Sequence, residues 1–400
     1  MPQLMPFRAW RYAPGTDLSA VTAPPYDVLS PADIDALRAR DPHNIVHVDV
    51  PPQTPAGYAE AAATLRTWAA DGTLVRDPKP TFTLYRLTFE DATGAFRRMI
   101  GVLAALPVAD YGTVGVLPHE RVTVKDSTDR LDLTRATGAN LSPIWGLSLI
   151  SGLSNVLEMY WNLAQQAGRT PSYCSNNGVT HDTLPIDDPT LIGVIQSMVA
   201  QGDVLIADGH HRYGVAQRFR EEARAGAVGG YAPVDYTLAF ISELVADQLN
   251  IDAIHRVYDG VPFDTLRDAL ARDFDLAPAP APTPAMLDEM VSSARLVLLS
   301  PDGQATWLTP KPGAFNGVRP LDGLWLEQTL RNLDALQVTY QHGLAETLAT
   351  VPNHSGAVLI RPTTIDEIRR TATEGLLMPP KSTFFTPKLQ TGLVVRTLDE

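Results

Sequence analysis

The sequence predicts an α/β protein, in the α+β sense of mixed sheets with flanking helices, folded as two lobes around a central cleft. Three observations lead there. Val204 to Ala207 is a short apolar run that breaks at Asp208-Gly209 into an amphipathic stretch, the pattern of a strand handing over to a helix. Tyr58, Ala61, Ala62, Leu65, Trp68 and Ala69 recur at three- and four-residue spacing, which predicts a helix stopped by Asp71-Gly72. Thr81 to Phe89 alternates apolar with polar residues and Met99 to Leu106 is a second apolar run, so a turn at Ala92-Thr93-Gly94 makes the pair a hairpin.

The remaining elements follow along the chain. Pro24-Pro25-Tyr26-Asp27-Val28 reads as extended backbone entering a helix near Pro31, because each residue before proline is pushed out of α geometry. Asn155 to Ala167 reads as helix. Beyond Gly209, Val215, Ala216, Phe219 and Ala223 mark one helical face, with Arg218 and Glu222 spaced to pair on the other. Strands are expected at Tyr236–Val245, Ile254–Val257, Leu296–Leu299 and Ala357–Ile360, and helices at Leu321–Leu333 and Thr364–Ala372. The Ala/Pro stretch from Ala277 to Ala285 is an extended surface segment that either separates two lobes or bridges two elements of one. The expected organisation is a main lobe over 1–275 and a smaller C-terminal lobe over 276–400 that packs back on the site.

Composition narrows the function. A formal net charge of −13 repels nucleic acid, and no run of Lys and Arg offsets it locally. The single cysteine, Cys174, cannot form an internal disulfide or a thiolate metal cluster. The N-terminus lacks a basic start followed by an apolar core, and no eighteen apolar residues run together. The expectation is a cytoplasmic protein with a small-molecule partner.

The sharpest chemical signal is Asp208-Gly209-His210-His211-Arg212. The free N–H groups of a helix start favour an anion, and Arg212 adds a planar fork suited to phosphate oxygens. The plainer reading makes Asp208 an N-cap and the histidines loop residues. Adjacent histidines do not face the same way, so one in the site and one structural is more natural than a shared metal. A second signal is His119-Glu120 with Lys125, Asp129 and Arg130. Glutamate beside histidine can act as a general base on a hydroxyl or water, and Lys and Arg neutralise phosphate charge. A solvated, salt-bridged loop would look the same, and the H-E-x-x-H pattern of zinc proteases is absent. Tyr26, His255-Arg256 and the loop carrying Lys381, Ser382 and Lys388 are weaker. No glycine precedes Lys381 to make a P-loop.

Together these segments resemble the prokaryotic family known as domain of unknown function 1015. The motifs that carry it are Pro24-Pro25-Tyr26-Asp27-Val28, Asn44-Ile45-Val46-His47, Pro118-His119-Glu120 with Lys125 and Asp129-Arg130, Asp208 to Tyr213, His255-Arg256, and Lys381-Ser382-Thr383 through Pro387-Lys388. The chain departs from the pattern at Arg121 and at Ser127-Thr128. More distantly, the Asp-Gly-His-His-Arg turn is similar to the phosphate-binding turn of the ParB and sulfiredoxin superfamily, one branch of which is similar to free serine kinases.

That resemblance implies a phosphotransferase using ATP or ADP with Mg²⁺ on the hydroxyl of a small metabolite, free L-serine being the first to test. Glu120, His119 and Asp208 would be catalytic. Gly209, His210, His211, Arg212, Lys125, Arg130, Lys381 and Ser382 would surround the nucleotide. Tyr26, His255, Arg256 and Lys388 would face the substrate, and Asp129 would contact the metal. A non-enzymatic phosphate or nucleotide sensor and a metal-dependent hydrolase remain as alternatives. The kinase reading expects the segments around His119, Asp208, His255 and Lys381 to line one pocket.

Overall fold

The computed structural model describes residues 1–91, 94–118, 120, 127–225 and 232–399, and divides the chain into two compact units. The first is Met1–Asn250 with Pro387–Glu400, and the second is Ile251–Thr386. The boundary expected near residue 275 therefore lies inside the second unit. The Ala/Pro stretch does not divide lobes: its first residues form the edge strand Phe274–Pro278 and its last open the helix Pro284–Ser293. Proline suits both places, since an edge strand and the first helical turn each leave an N–H without a partner. The last residues, from Pro387 on, belong to the first unit.

Among the described residues the first unit is built on an eight-stranded mixed sheet. Its order is Val116–Leu117, Val204–Asp208, Ile144–Ser148, Tyr236–Glu243, Phe96–Pro107, Phe82–Glu90, Val179–Ile186 and Ser172–Asn176. Val204–Asp208 runs parallel to Val116–Leu117 and antiparallel to Ile144–Ser148. The expected hairpin is present, with Thr83 opposite Leu103 and Leu87 opposite Met99. One face carries a core of Leu84, Val102, Val204, Ile206 and Ile241, covered by Leu157 and Trp161 of the helix Leu153–Gln166 and by Ile195 and Val199 of the helix Pro189–Val199. A separate core gathers Tyr58, Ala61, Leu65 and Trp68 of the helix Pro55–Asp71, which ends as expected at Gly72 in a left-handed conformation (φ 86°).

One helix of this unit was not legible as such. Ser127–Thr137 is a helix whose apolar stripe is too thin for periodicity to mark, with only Leu131 and Leu133 among its leucines. Glu222, expected to pair with Arg218, also makes a tertiary contact: it accepts from Arg135 of that helix at 2.9 and 2.6 Å, and its carboxyl is held below its ordinary range by Arg135 first and by Arg218 as well.

The second unit holds a six-stranded sheet in the order Phe274–Pro278, Ala305–Pro310, Leu296–Leu299, Gly356–Leu359, Ile254–Asp259, Gln337–His342. Tyr258, Leu298, Leu308 and Val358 join Leu266 and Leu270 in a core on one face, and Val257, Val297 and Leu359 face a second.

Two deeply buried histidines, His181 in the first unit and His255 in the second, are shifted by their burial. His181 and His255 are 1% and 2% exposed, and burial holds both at about 4 against an ordinary 6.5, with Arg256 adding to the effect on His255. An unfolded chain takes up protons on these rings first, so their contribution is whole above 6.5 and is lost as pH falls towards 4. The gap corresponds to about 3 kcal/mol per histidine at most. Urea unfolding should therefore give a clearly lower midpoint near about pH 4.5 than near about pH 7.5. Equal midpoints would mean that neither ring is shielded from water.

Candidate functional site

The site grows from the end of one central strand. Ile206 stands opposite Gly146 while Asp208 stands opposite Trp145, so Ala207 is an extra residue in the ladder. A bulge of this kind re-aims the following side chain, here Asp208. Gly209 then takes φ 88°, a left-handed conformation that a side chain would strain, and its carbonyl accepts the N–H of Tyr213. The helix His210–Arg224 starts there. Its N-cap is Gly209, with no side-chain cap bond, so Asp208 is not the N-cap of the plainer reading.

Asp208 is held by two cations. Arg212 Nη2 donates to Oδ2 at 2.8 Å and Lys388 Nζ to Oδ1 at 3.2 Å. Burial alone would raise this carboxyl, but Lys388 and then Arg212 outweigh it and keep it well below the usual carboxylate range. Two cations thus meet one carboxylate at the start of a helix, where free N–H groups add partial positive charge.

Arg212 departs from the expected open fork. Its side chain is 10% exposed, Nη2 is bound to Asp208, and Nη1 donates to the carbonyl of Pro143. Its Nε is buried without a hydrogen-bond partner, and so is Nδ1 of His211. An added Cβ on Gly209 would lie 3.0 Å from that Nε, so the absence of a side chain at 209 leaves the guanidinium edge room beside the turn. A buried unmet donor carries a penalty that a bound acceptor would relieve.

The two adjacent histidines do diverge. His210 is 5% exposed and its Nδ1 lies 4.0 Å from Oε1 of Glu120, whereas His211 is half-buried. His210 also contributes to lowering Asp208. Glu120, His210, Asp208, Arg212 and Lys388 are thus brought together from three distant stretches of chain. His119 and Lys125 lie outside the described residues.

Next to this group is a buried cluster that joins the expected residues Tyr26, Arg130 and Arg212 to Asp49 and Ser142, which the sequence reading did not single out. Arg130 donates from Nη1 to the Asp49 carbonyl at 2.6 Å and from Nε to Asp129 at 2.8 Å, and its guanidinium sits 4.3 Å from the Tyr26 ring centroid. Tyr26, Asp49, Arg130, Ser142 and Arg212 line one small cavity of about 60 Å³. Burial pushes Tyr26 up to about 12 and raises Asp49 as well, against the opposing pull of the arginines. Arg130 thus anchors the cluster. Its sequence trace was Asp49 itself, a lone charge inside the run Val46–Val50, where burial demands a partner.

Asp129, expected at a metal, uses one oxygen on the Tyr58 hydroxyl at 2.7 Å and the other on Arg130. A cation would have to displace both donors. Among the described residues no three His, Cys, Asp or Glu side chains gather as metal ligands.

The remaining expected residues belong to the second unit. His255 Nδ1 accepts the N–H of Ile360 at 3.2 Å, and Arg256 donates to the carbonyls of Ile254 and Lys381 at 2.5 and 3.2 Å. Ser382 donates its hydroxyl to the Pro379 carbonyl at 2.7 Å, and Lys381 is exposed with φ 55°. Within their own unit His255, Arg256 and Ser382 are tied to backbone, which gives each a structural task.

A family model described as "Protein of unknown function (DUF1015)" matches residues 4–336. A search of the curated proteins found no match. Among solved structures, the chain is similar to a conserved hypothetical protein from Pyrococcus furiosus at 12% identity and TM-score 0.37, covering 70% of this chain and 92% of that one. It is similar to a free serine kinase in complex with AMP at 12% identity and TM-score 0.38, over 70% and 89%. It is also similar to SbnI with a C-terminal truncation from Staphylococcus aureus, at 12% and 0.38, over 73% and 87%. Similarity at this level leaves the function of the chain to its own residues. No helix among the described residues is long and apolar enough to cross a membrane.

Proposed function

Because this chain belongs to the DUF1015 family, whose description assigns no activity, we propose from its own side chains that it is a nucleotide-dependent phosphotransferase acting on the hydroxyl of a small metabolite. One observation carries the reading: Asp208 is shared by Arg212 and Lys388 at a glycine-opened helix start, with Arg212 Nε buried and unmet. That is a site prepared for an anion. In a protein of net charge −13 such local concentration of positive charge is needed for a phosphate to approach at all.

In this reading the N–H groups of His210 and His211, the Arg212 edge and Lys388 hold the phosphates of ATP or ADP. Glu120, beside His210, takes the proton of the acceptor hydroxyl. The acceptor oxygen forms its bond to the terminal phosphorus as the bond from phosphorus to the bridging oxygen breaks, and the nucleotide leaves one phosphate shorter with that electron pair. Such a transfer needs positioning and charge neutralisation more than covalent help. His119, next to Glu120 in sequence, and Lys125, five positions further on, keep their proposed catalytic and nucleotide-binding roles. Asp129 and Asp208 are both paired with cations, so these carboxylates do not fit a metal cage built by the protein.

The test is direct. Purified protein is offered ATP or ADP with Mg²⁺ and a panel of small hydroxyl compounds led by L-serine, and phosphorylated product is followed. Formation of product supports the enzyme. Tight nucleotide binding without turnover of any compound identifies the same site as that of a sensor.

A further inference from the structure

The first unit contains a second cavity, of about 360 Å³, on the Lys388 side of Asp208. One wall is a single face of the helix Pro31–Arg40, formed by Asp33, Ala36, Leu37 and Arg40 at three- and four-residue spacing. Val28, Leu29 and Val179 add apolar surface. Apolar walls with a few fixed polar groups, at the lower end of about 300–1,000 Å³, are the usual make-up of a small-molecule site.

Its polar groups have a readable donor and acceptor pattern. Asn176 Nδ2 donates to Gln390 Oε1 at 3.1 Å, which leaves Asn176 with a carbonyl oxygen to offer and Gln390 with amide N–H groups. The pair is held from beneath: the Gln390 backbone N–H donates to the Tyr85 hydroxyl at 3.1 Å, and Tyr85 is 2.7 Å from His181 Nδ1. His181, whose ring is kept neutral by burial, lines the same cavity. A carboxamide acceptor beside a carboxamide donor complements adenine, whose N6 donates and N7 accepts. Guanine presents two acceptors at those positions.

We propose that this cavity receives the base of an adenine nucleotide, and that Lys388, which lines it and also binds Asp208, carries the phosphates across to the glycine turn. The proposal rests on the phosphate-binding reading above and specifies where the base of its ATP or ADP lies.

Calorimetry with ADP, GDP and inorganic pyrophosphate separates the two. ADP should bind at least about tenfold more tightly than GDP or pyrophosphate. Ala36 is exposed on the cavity wall, so Ala36→Trp fills the space without burdening the core. It should weaken ADP by about tenfold or more and leave pyrophosphate unchanged, while Asn176→Ala should narrow the preference for ADP over GDP. If ADP, GDP and pyrophosphate bind alike and Ala36→Trp changes none of them, the base pocket is wrong while the phosphate site stands. If the wild-type protein binds none of the three, both fall.

Discussion

Replacing Glu120 by Gln is expected to lower turnover by about 10²–10⁴-fold with little change in nucleotide affinity. The substitution keeps the shape and most hydrogen bonding of the side chain and removes its capacity to take a proton. The expectation follows from placement: Glu120 is half-buried, 4.0 Å from His210, and His210 adjoins Asp208. Phosphate-holding groups act in the ground state and the transition state alike, whereas a base acts only when the hydroxyl proton moves. A fall in kcat with unchanged nucleotide affinity would therefore separate Glu120 from the residues around it. If Glu120→Gln turns over substrate at the wild-type rate, the carboxylate has a structural role and another base must be sought.

Arg212→Ala is expected to fail twice. The guanidinium is 10% exposed and serves both the Asp208 carboxylate and the Pro143 carbonyl, so its loss leaves a buried carboxylate with Lys388 as its remaining cation and a carbonyl without its donor. Breaking a buried pair in this way costs about 3–5 kcal/mol. Loss of one charge-assisted contact should also weaken nucleotide binding by about 1–3 kcal/mol. Arg212→Lys keeps the charge but cannot reach Asp208, Pro143 and a phosphate from one planar group, so it should recover part of the stability and little of the affinity. Urea unfolding and calorimetry on the three proteins check both effects. Full affinity in Arg212→Ala, measured on folded protein, would remove Arg212 from the phosphate site.

Much of the chemistry was legible because it is local. A strand, a glycine and a helix start follow one another within ten residues at Val204–Tyr213, and the backbone geometry that opens a helix to an anion is a property of those residues alone. The helix ending at Gly72 and the hairpin of Phe82–Glu90 with Phe96–Pro107 were legible for the same reason, since their periods of 3.6 and 2 are written in adjacent residues.

Other features depended on distance. No local pattern pairs Lys388 with Asp208 across 180 positions, or Arg130 with Asp49, or Gln390 with Asn176. Such pairs form only when packing brings buried charges and amides to face one another, because each must then find a partner or leave the interior. The same holds for Arg212, whose planar fork looked free for a phosphate until burial drew two of its three nitrogens onto Asp208 and Pro143. The division of the chain is also tertiary: Pro387–Glu400 is counted with the first unit because its residues pack there, which no stretch of composition announces. The sequence by itself determined the α/β class and the glycine turn that opens a helix, which arise from neighbouring residues, and only the tertiary structure decided which charges surround that turn, because burial and long-range packing select the partners.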